Sequence, residues 1–344
     1  MFLVGVTRDF LRPDGSPGFG DIGLSLLERG RVTWEYLPAA AGEVPPEAAR
    51  DYDGLLLLGP RVTAATLAGA GRLKVVARFG VGYDNVDVPA CTAAGVLLTI
   101  APNGVRRPVA AAAMAFVLAL SHKLLVKDRL TRAGRWAEKL NHNGKGLTGR
   151  TLGVIGFGNI GRELAGLARP FALRVIASDP WADPGAAAAA GVRLVPLEDL
   201  LRESDYVCVC CALTPETRHL LDADRIALMK PTAYLVNVAR GPIVDQDALV
   251  AALEAGALAG AGLDVFEHEP VDPAESIVGA RNLIATPHSL GYTDDLLRSC
   301  IDGACTAILT VADGRVPQHV VNPEVLDSTG FQEKIQALAG RLRS

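Results

Sequence analysis

The longest strictly apolar run in this 344-residue chain, Val109 to Leu120, falls short of the roughly 18 residues that a bilayer crossing needs. An excess of charge of one sign is also missing. Lys and Arg number 34 against 38 Asp and Glu, a net charge of −4, so nothing general draws the protein to nucleic acid, and an anionic ligand must be captured by local cations. Of the six cysteines, at 91, 208, 210, 211, 300 and 305, one pair, Cys208 and Cys211, stands at Cys-x-x-Cys spacing, but its apolar strand-like setting argues against a thiol-based metal or redox motif. Three of them lie in the apolar, strand-like run Tyr206 to Ala212, where cysteine behaves as a small hydrophobe; all six are read as reduced. No basic n-region or cleavage site surrounds Met1 to Val6 before Thr7-Arg8-Asp9, so that run reads as a first strand and not a leader. Low complexity is confined to Ala186 to Ala190, read as a helix. These absences describe a soluble, cytoplasmic protein without a metal, nucleic-acid or membrane partner.

What is present is alternation. The first hundred residues offer strands at Phe2 to Val6, Val32 to Tyr36, Gly54 to Leu58, Lys74 to Arg78 and Val96 to Thr99, separated by helical stretches, the signature of a βαβ sheet. A long helix is predicted from about Pro108 to Ala133. A second series follows with strands at Thr151 to Ile155, Arg174 to Ser178, Tyr206 to Cys210, Ala233 to Asn237, Ala261 to Val265 and Leu283 to Thr286. These six make one doubly wound domain. The tail is helical from Leu296 through Ala312 and then extended through Val320-Val321-Asn322-Pro323. Length alone favours two domains.

Gly156-Phe157-Gly158-Asn159-Ile160-Gly161 stands directly after an apolar strand and before the helical segment Arg162 to Ala168. In that context its glycines give the turn, the close approach of a pyrophosphate and tight helix–strand packing, with the helix N-terminus facing the anion. Asp179 ends the next strand, near the position of a carboxylate that binds the adenine ribose. A carboxylate accepts hydrogen bonds from a free 2′-hydroxyl and repels a 2′-phosphate, so NAD(H) is expected over NADP(H). Three further polar residues end strand-like runs: Arg240 in Asn-Val-Ala-Arg-Gly, Glu269 in Asp264-x-x-x-x-Glu-Pro, and His288 in Thr-Pro-His. Strand ends of a parallel sheet converge on one crevice, so a cation, a carboxylate and an imidazole can meet around one ligand.

These motifs, with Arg78 to Asp87 and Leu213 to Thr217 in order, resemble the D-isomer-specific 2-hydroxyacid dehydrogenase family over nearly the whole chain. The resemblance implies an α/β protein of two doubly wound parallel-sheet domains, a Rossmann NAD-binding domain (105–295) inserted into a flavodoxin-like substrate domain (1–104 with the returning tail 296–344). It implies a homodimer built around the helix near 108–133, and an enzyme that interconverts a small anionic D-2-hydroxy acid and its 2-oxo acid. Arg240 would bind the substrate carboxylate with its guanidinium fork, His288 would serve as general acid, and Glu269 would hold the imidazole and favour its charged form. Glu267 and His268 are near neighbours of Glu269. Glutamate at 269 separates the chain from the formate dehydrogenase branch, which carries glutamine there. Val81 and Gly82 would hold the substrate carboxylate with backbone amides. Beyond the Gly156, Gly158, Asn159, Ile160, Gly161 loop and Asp179, the implied NAD contacts are Cys211, Val238, Ala239, Asp264, His288 and Gly291. The rival in another class is an NAD(H)-sensing, corepressor-like binding protein that keeps the same triad.

Departures from the family pattern are Cys210-Cys211-Ala212 where His-x-Pro is common, and Ser289-Leu290-Gly291-Tyr292-Thr293 after His288. Arg78 either supports its loop or lends charge to the cleft. Arg106 and Arg107 read as a charged turn before Pro108.

Overall fold

The computed structural model describes residues 1–28, 32–38 and 42–343, the last five by backbone alone. The chain forms two units, Met1–Val105 with Thr293–Ser344, and Arg106–Tyr292.

The first unit is a five-stranded sheet of β1 (Phe2–Val6), β2 (Val32–Tyr36), β3 (Gly54–Leu57), β4 (Val75–Arg78) and β5 (Leu97–Thr99). The strands lie in the order β2-β1-β3-β4-β5, every pair parallel, which is the flavodoxin-like winding. The run Gly-Leu-Leu-Leu of β3 is buried at all four positions, as a central parallel strand covered on both faces must be.

The tail pairs with the edge of this sheet through its backbone, the Val321 N–H donating to the Leu98 carbonyl at 2.8 Å and Val320 bridging Thr99 antiparallel, and through one buried side chain. Asn322 is fully buried; its Oδ1 accepts the Leu98 N–H at 2.9 Å and its Nδ2 donates to Val96 O at 3.0 Å. It thereby continues the sheet at the edge of β5. A C-terminal helix, Thr329–Arg343, then docks with Phe331 and Leu338 buried. Lys334 on this helix donates to the carbonyls of Leu73 at 2.8 Å and Ala94 at 2.6 Å. The expectation stopped at the extended segment and left out this helix, although Phe331, Ile335, Leu338 and Leu342 recur at helical spacing.

The second unit is a seven-stranded, all-parallel sheet. Its strands are β6 (Thr151–Ile155), β7 (Arg174–Ser178), β8 (Arg193–Leu194), β9 (Tyr206–Val209), β10 (Tyr234–Asn237), β11 (Gly260–Leu263) and β12 (Leu283–Ala285). Their order is β12-β11-β10-β9-β6-β7-β8, so the winding reverses between β6 and β9, the Rossmann switch point. Six strands were expected; the seventh, β8, is a two-residue edge strand too short for periodicity to reveal.

The long helix expected over 108–133 is two helices, Pro102–Ser121 and Leu124–Arg132. The first starts six residues earlier than expected and takes in Arg106 and Arg107, which were read as a turn. It ends because the Ser121 carbonyl turns to accept the Lys145 N–H at 2.8 Å while Lys123 adopts φ 52°. By length and composition Pro102–Ser121 could cross a membrane, but 61% of its apolar window is buried within the protein. Its Ala110, Ala113, Phe116 and Val117 pack into one core with Leu152, Val154 and Tyr206, so it is a core helix.

Replacing Asn322 by alanine would leave the buried Leu98 N–H and Val96 carbonyl without partners, each worth about 1–3 kcal/mol. Urea unfolding of the Asn322→Ala variant is expected to show a loss of that order, and an unchanged midpoint would remove this anchor from the account.

Candidate active site

The cofactor side of the second unit begins where β6 ends. Gly156 has φ 91°, and a Cβ there would fall 2.6 Å from the Cys211 backbone, while one on Gly161 would fall 2.2 Å from the Gly156 carbonyl oxygen. Both glycines are demanded by packing between the loop, the β9 exit and the first turn of the Asn159–Ala168 helix. Gly158 differs. It is the N-cap of that helix with no side-chain cap, and nothing lies within 4 Å of its Cβ position. Uncapped N-terminal amides beside open space on a ten-residue helix fit a pyrophosphate. Asn159 is turned aside, accepting from Arg162 Nη2 at 2.9 Å, and Ile160 packs on the core.

Asp179 follows β7. Its Oδ2 accepts the Phe157 N–H at 2.7 Å and its Oδ1 the Trp181 N–H at 2.9 Å. One carboxylate thus ties the glycine loop to the β7 exit and keeps further lone pairs for ribose hydroxyls. Across the switch point, the Cys210 N–H donates to Ile155 O at 2.8 Å. Burial pushes the Cys210 thiol up to about 12 and the Cys211 thiol up to about 11, so both stay neutral and serve as small apolar groups.

The chemistry side is built from the exits of β10, β11 and β12. Asn237, buried at the end of β10, accepts the Ala239 N–H at 3.0 Å and donates to the Arg240 carbonyl at 2.9 Å. Only an amide side chain offers donor and acceptor together to fold the Val238-Ala239-Arg240 turn in this way. Gly241 comes next, and a Cβ on it would fall 1.9 Å from the Phe266 carbonyl carbon. That close crossing sets the Arg240 segment against the turn after β11.

On that turn Glu269 Oε1 accepts the Phe266 N–H at 2.9 Å, and Oε2 lies 2.7 Å from His288 Nδ1. Burial pushes the Glu269 carboxyl up, but hydrogen bonding and charge from His288, the Phe266 amide and the Arg240 charge outweigh it, leaving the carboxyl below its usual value. Glu267 points elsewhere, to His219 and the Gln246 amide. His288 sits at φ 50°, a left-handed conformation uncommon outside glycine and a marker of functional strain. Asp264 holds it there: Oδ1 accepts the Thr286 hydroxyl at 2.6 Å, the Ser289 N–H at 2.9 Å and the Leu290 N–H at 3.0 Å. Gly291 is buried behind Leu290, and the half-exposed Tyr292 closes a turn onto the Ser289 carbonyl.

Arg240, Glu269 and His288 are therefore gathered at three neighbouring strand exits of one unit, with Asn237, Gly241, Asp264 and Thr286 as their supports. Asp264, expected among the cofactor contacts, also anchors the loop that carries His288 through its Oδ1. Asn237 and Gly241 stood inside the quoted motif, but the crossing that requires them joins residues too distant in sequence to be seen there. Arg106 and Arg107 pair with Glu163 at 3.4 and 2.7 Å. Val81 and Gly82 follow β4 in the first unit, where Arg78 bonds Asn85 and the Leu57 and Phe79 carbonyls and so supports their loop.

Residues 114–289 match the pattern of the D-isomer specific 2-hydroxyacid dehydrogenase, NAD binding domain. The chain belongs to this family. It is 38% identical over 308 residues to a glyoxylate reductase of Thermococcus onnurineus, covering 87% of this chain and 92% of that one. A glyoxylate reductase of Pyrococcus furiosus is 36% identical over 323 residues, covering 91% and 96%. Among solved structures, a protein from Thermus thermophilus superposes with TM-score 0.81 at 32% identity, covering 93% of this chain and all of that one. The D-lactate dehydrogenase of Aquifex aeolicus, solved with NAD and lactic acid, gives TM-score 0.79 at 26% identity over 97% and 98%. The protein is an NAD-dependent oxidoreductase of 2-hydroxy and 2-oxo acids.

Two outcomes test this geometry. Gly158→Ala places its methyl in open space, so thermal unfolding is expected to stay as in the wild type while NADH binding, read by fluorescence titration, weakens about tenfold or more, the roughly 1.4 kcal/mol of a lost close contact. Equal loss of folding would make Gly158 structural. The depressed Glu269 carboxyl contributes stability that is present above its unfolded value near 4.5 and is lost as pH falls through the lower folded value. Glu269→Gln is therefore expected to flatten that acid limb of an unfolding profile, and an unchanged limb would contradict the pairing.

Proposed function

We propose that this enzyme reduces a small 2-oxo acid of the glyoxylate type to its D-2-hydroxy acid, with His288 as general acid, Glu269 as its partner and Arg240 as the substrate cation. The Glu269–His288 contact of 2.7 Å carries this reading. Bound NADH supplies the hydride that ends on C2 of the oxo acid. With Nδ1 directed at Glu269, the transferable proton belongs on Nε2 of His288 and passes to the carbonyl oxygen as that oxygen gains charge. Glu269 fixes the ring orientation and offsets the imidazolium charge. Arg240 pairs with the carboxylate and polarises the neighbouring carbonyl, and Val81 and Gly82 are assigned amides for that carboxylate. The glyoxylate reductases among the relatives support a small side chain on the substrate.

The cofactor contacts are assigned to Gly156, Gly158, Asn159, Ile160, Gly161, Asp179, Cys211, Val238, Ala239, Asp264, His288 and Gly291, with Asp264 also holding the His288 loop. The 106–292 unit is assigned NAD and the other unit the substrate. A homodimer is favoured by Leu124, Leu125, Trp136 and Leu140, all large apolar side chains exposed in one stretch of the second unit. Low net charge, neutral buried thiols and six free cysteines suit a cytoplasmic setting.

NADH oxidation against glyoxylate, hydroxypyruvate and its phosphate, pyruvate, 2-oxoglutarate and bulkier sugar acids is expected to favour the smallest substrates. His288→Ala should lower kcat by about 10²–10⁴-fold with NADH binding retained, and Arg240→Ala should chiefly lower kcat/KM for the oxo acid. Wild-type turnover in the first variant, or wild-type kcat/KM in the second, would reject the assigned role.

A further inference from the structure

A second histidine–glutamate pair lies beside the first. His219 Nε2 stands 2.8 Å from Glu267 Oε1, two residues before Glu269 on the same turn, a close ion-pair contact that is not aligned as a hydrogen bond and leaves the buried nitrogen without a hydrogen-bond partner. The backbone of His219, at φ 48°, donates its N–H to the Pro242 carbonyl at 2.8 Å, two residues after Arg240. One residue therefore reaches both segments that carry the proposed chemistry, hydrogen-bonding the Arg240 segment through its main chain and standing in close polar contact with the Glu269 turn through its side chain. Glu267 is fixed from its other side as well: Oε1 accepts the Gln246 N–H at 3.1 Å, and the Gln246 side-chain oxygen accepts the Glu267 N–H at 3.4 Å. Its carboxylate sits at the N-terminus of the Gln246–Glu254 helix, where the helix dipole favours negative charge.

The close crossing of Gly241 and Phe266 sets how near the two segments come, but a backbone contact does not set how the turn is rotated about it. The side chains of Glu267 and Glu269 leave the turn in different directions, one to His219 and one to His288. Pinning the first fixes the second.

We propose that His219 is a positioning residue of the active site, acting through Glu267 to fix the rotation of the Phe266–Glu269 turn and hence the placement of Glu269 against His288 beside Arg240. This rests on the reading of Arg240, Glu269 and His288 given above. His219 touches no reacting atom in this scheme. Misplacement of a catalytic group by an ångström costs on the order of 10²-fold in rate, and that is the scale on which a lost clamp acts.

The test uses the full-length enzyme with NADH and glyoxylate. His219→Ala is expected to lower kcat about 10–100-fold while NADH affinity, measured by fluorescence titration without turnover, stays at the wild-type value. His219→Gln keeps an N–H donor for Glu267 and should recover most of the lost kcat. In a Glu267→Ala background, His219→Ala should cost nothing further, because both changes break one contact. Wild-type kcat in His219→Ala, a folded His219→Gln as impaired as the alanine variant, or fully additive losses in the double variant would each overturn the proposal. Should His219→Ala not fold, the comparison of His219→Gln with wild type decides by the same criterion. His288→Ala serves as the control. Turnover surviving in it rejects the general acid itself, whereas an inactive His288→Ala with wild-type His219 variants rejects only the clamp.

Discussion

The reach of one carboxylate sets the geometry on which the active site depends. Asp264 leaves the end of β11 and takes hydrogen bonds from both sides of His288, the Thr286 hydroxyl before it and the Ser289 and Leu290 amides after it. A histidine in the left-handed region persists only when its surroundings over-determine it, and three donors converging on one oxygen provide that constraint. A parallel sheet makes it possible, because β11 and β12 pair in register and deliver both exits to the same edge. Asp264 thus anchors the His288 loop through neutral donors alone.

Around that point the two functions proposed for the second unit fall to different strand exits. The nucleotide loop uses β6, β7 and β9, on either side of the switch point, and its polar groups are mostly backbone. The chemistry uses β10, β11 and β12, and its polar groups are side chains. This division follows from the ligands. A pyrophosphate is read well by helix-terminal amides, which need room and no side chain, whereas proton transfer needs a titratable group whose partner is fixed.

Much of this was legible in the sequence, for a physical reason. Strands buried on both faces leave continuous apolar runs, so ten of twelve were found to within a residue at each end, as at Phe2–Val6 and Thr151–Ile155. The glycine fingerprint is local, and its spacing reflects steric demands within a few residues. What escaped were features created by distant contacts. The break at Lys123 depends on Lys145, and β8 exists only through its pairing with β7. The part Asp264 plays as an anchor of the His288 loop is of the same kind, since its partners lie more than twenty residues away. The tail helix is the exception, since Phe331, Ile335, Leu338 and Leu342 give it a local apolar stripe that the expectation left unused.

The buried Asn322 has a consequence for the order in which the protein matures on the ribosome. The strands of the second unit are contiguous in the chain and need nothing made after Tyr292. The sheet of the first unit, begun at Phe2, keeps an unfinished edge at β5 until the segment from His319 to Asn322 has been synthesised. Vectorial synthesis therefore completes the inserted nucleotide-binding sheet while the unit translated first still waits for its closing segment.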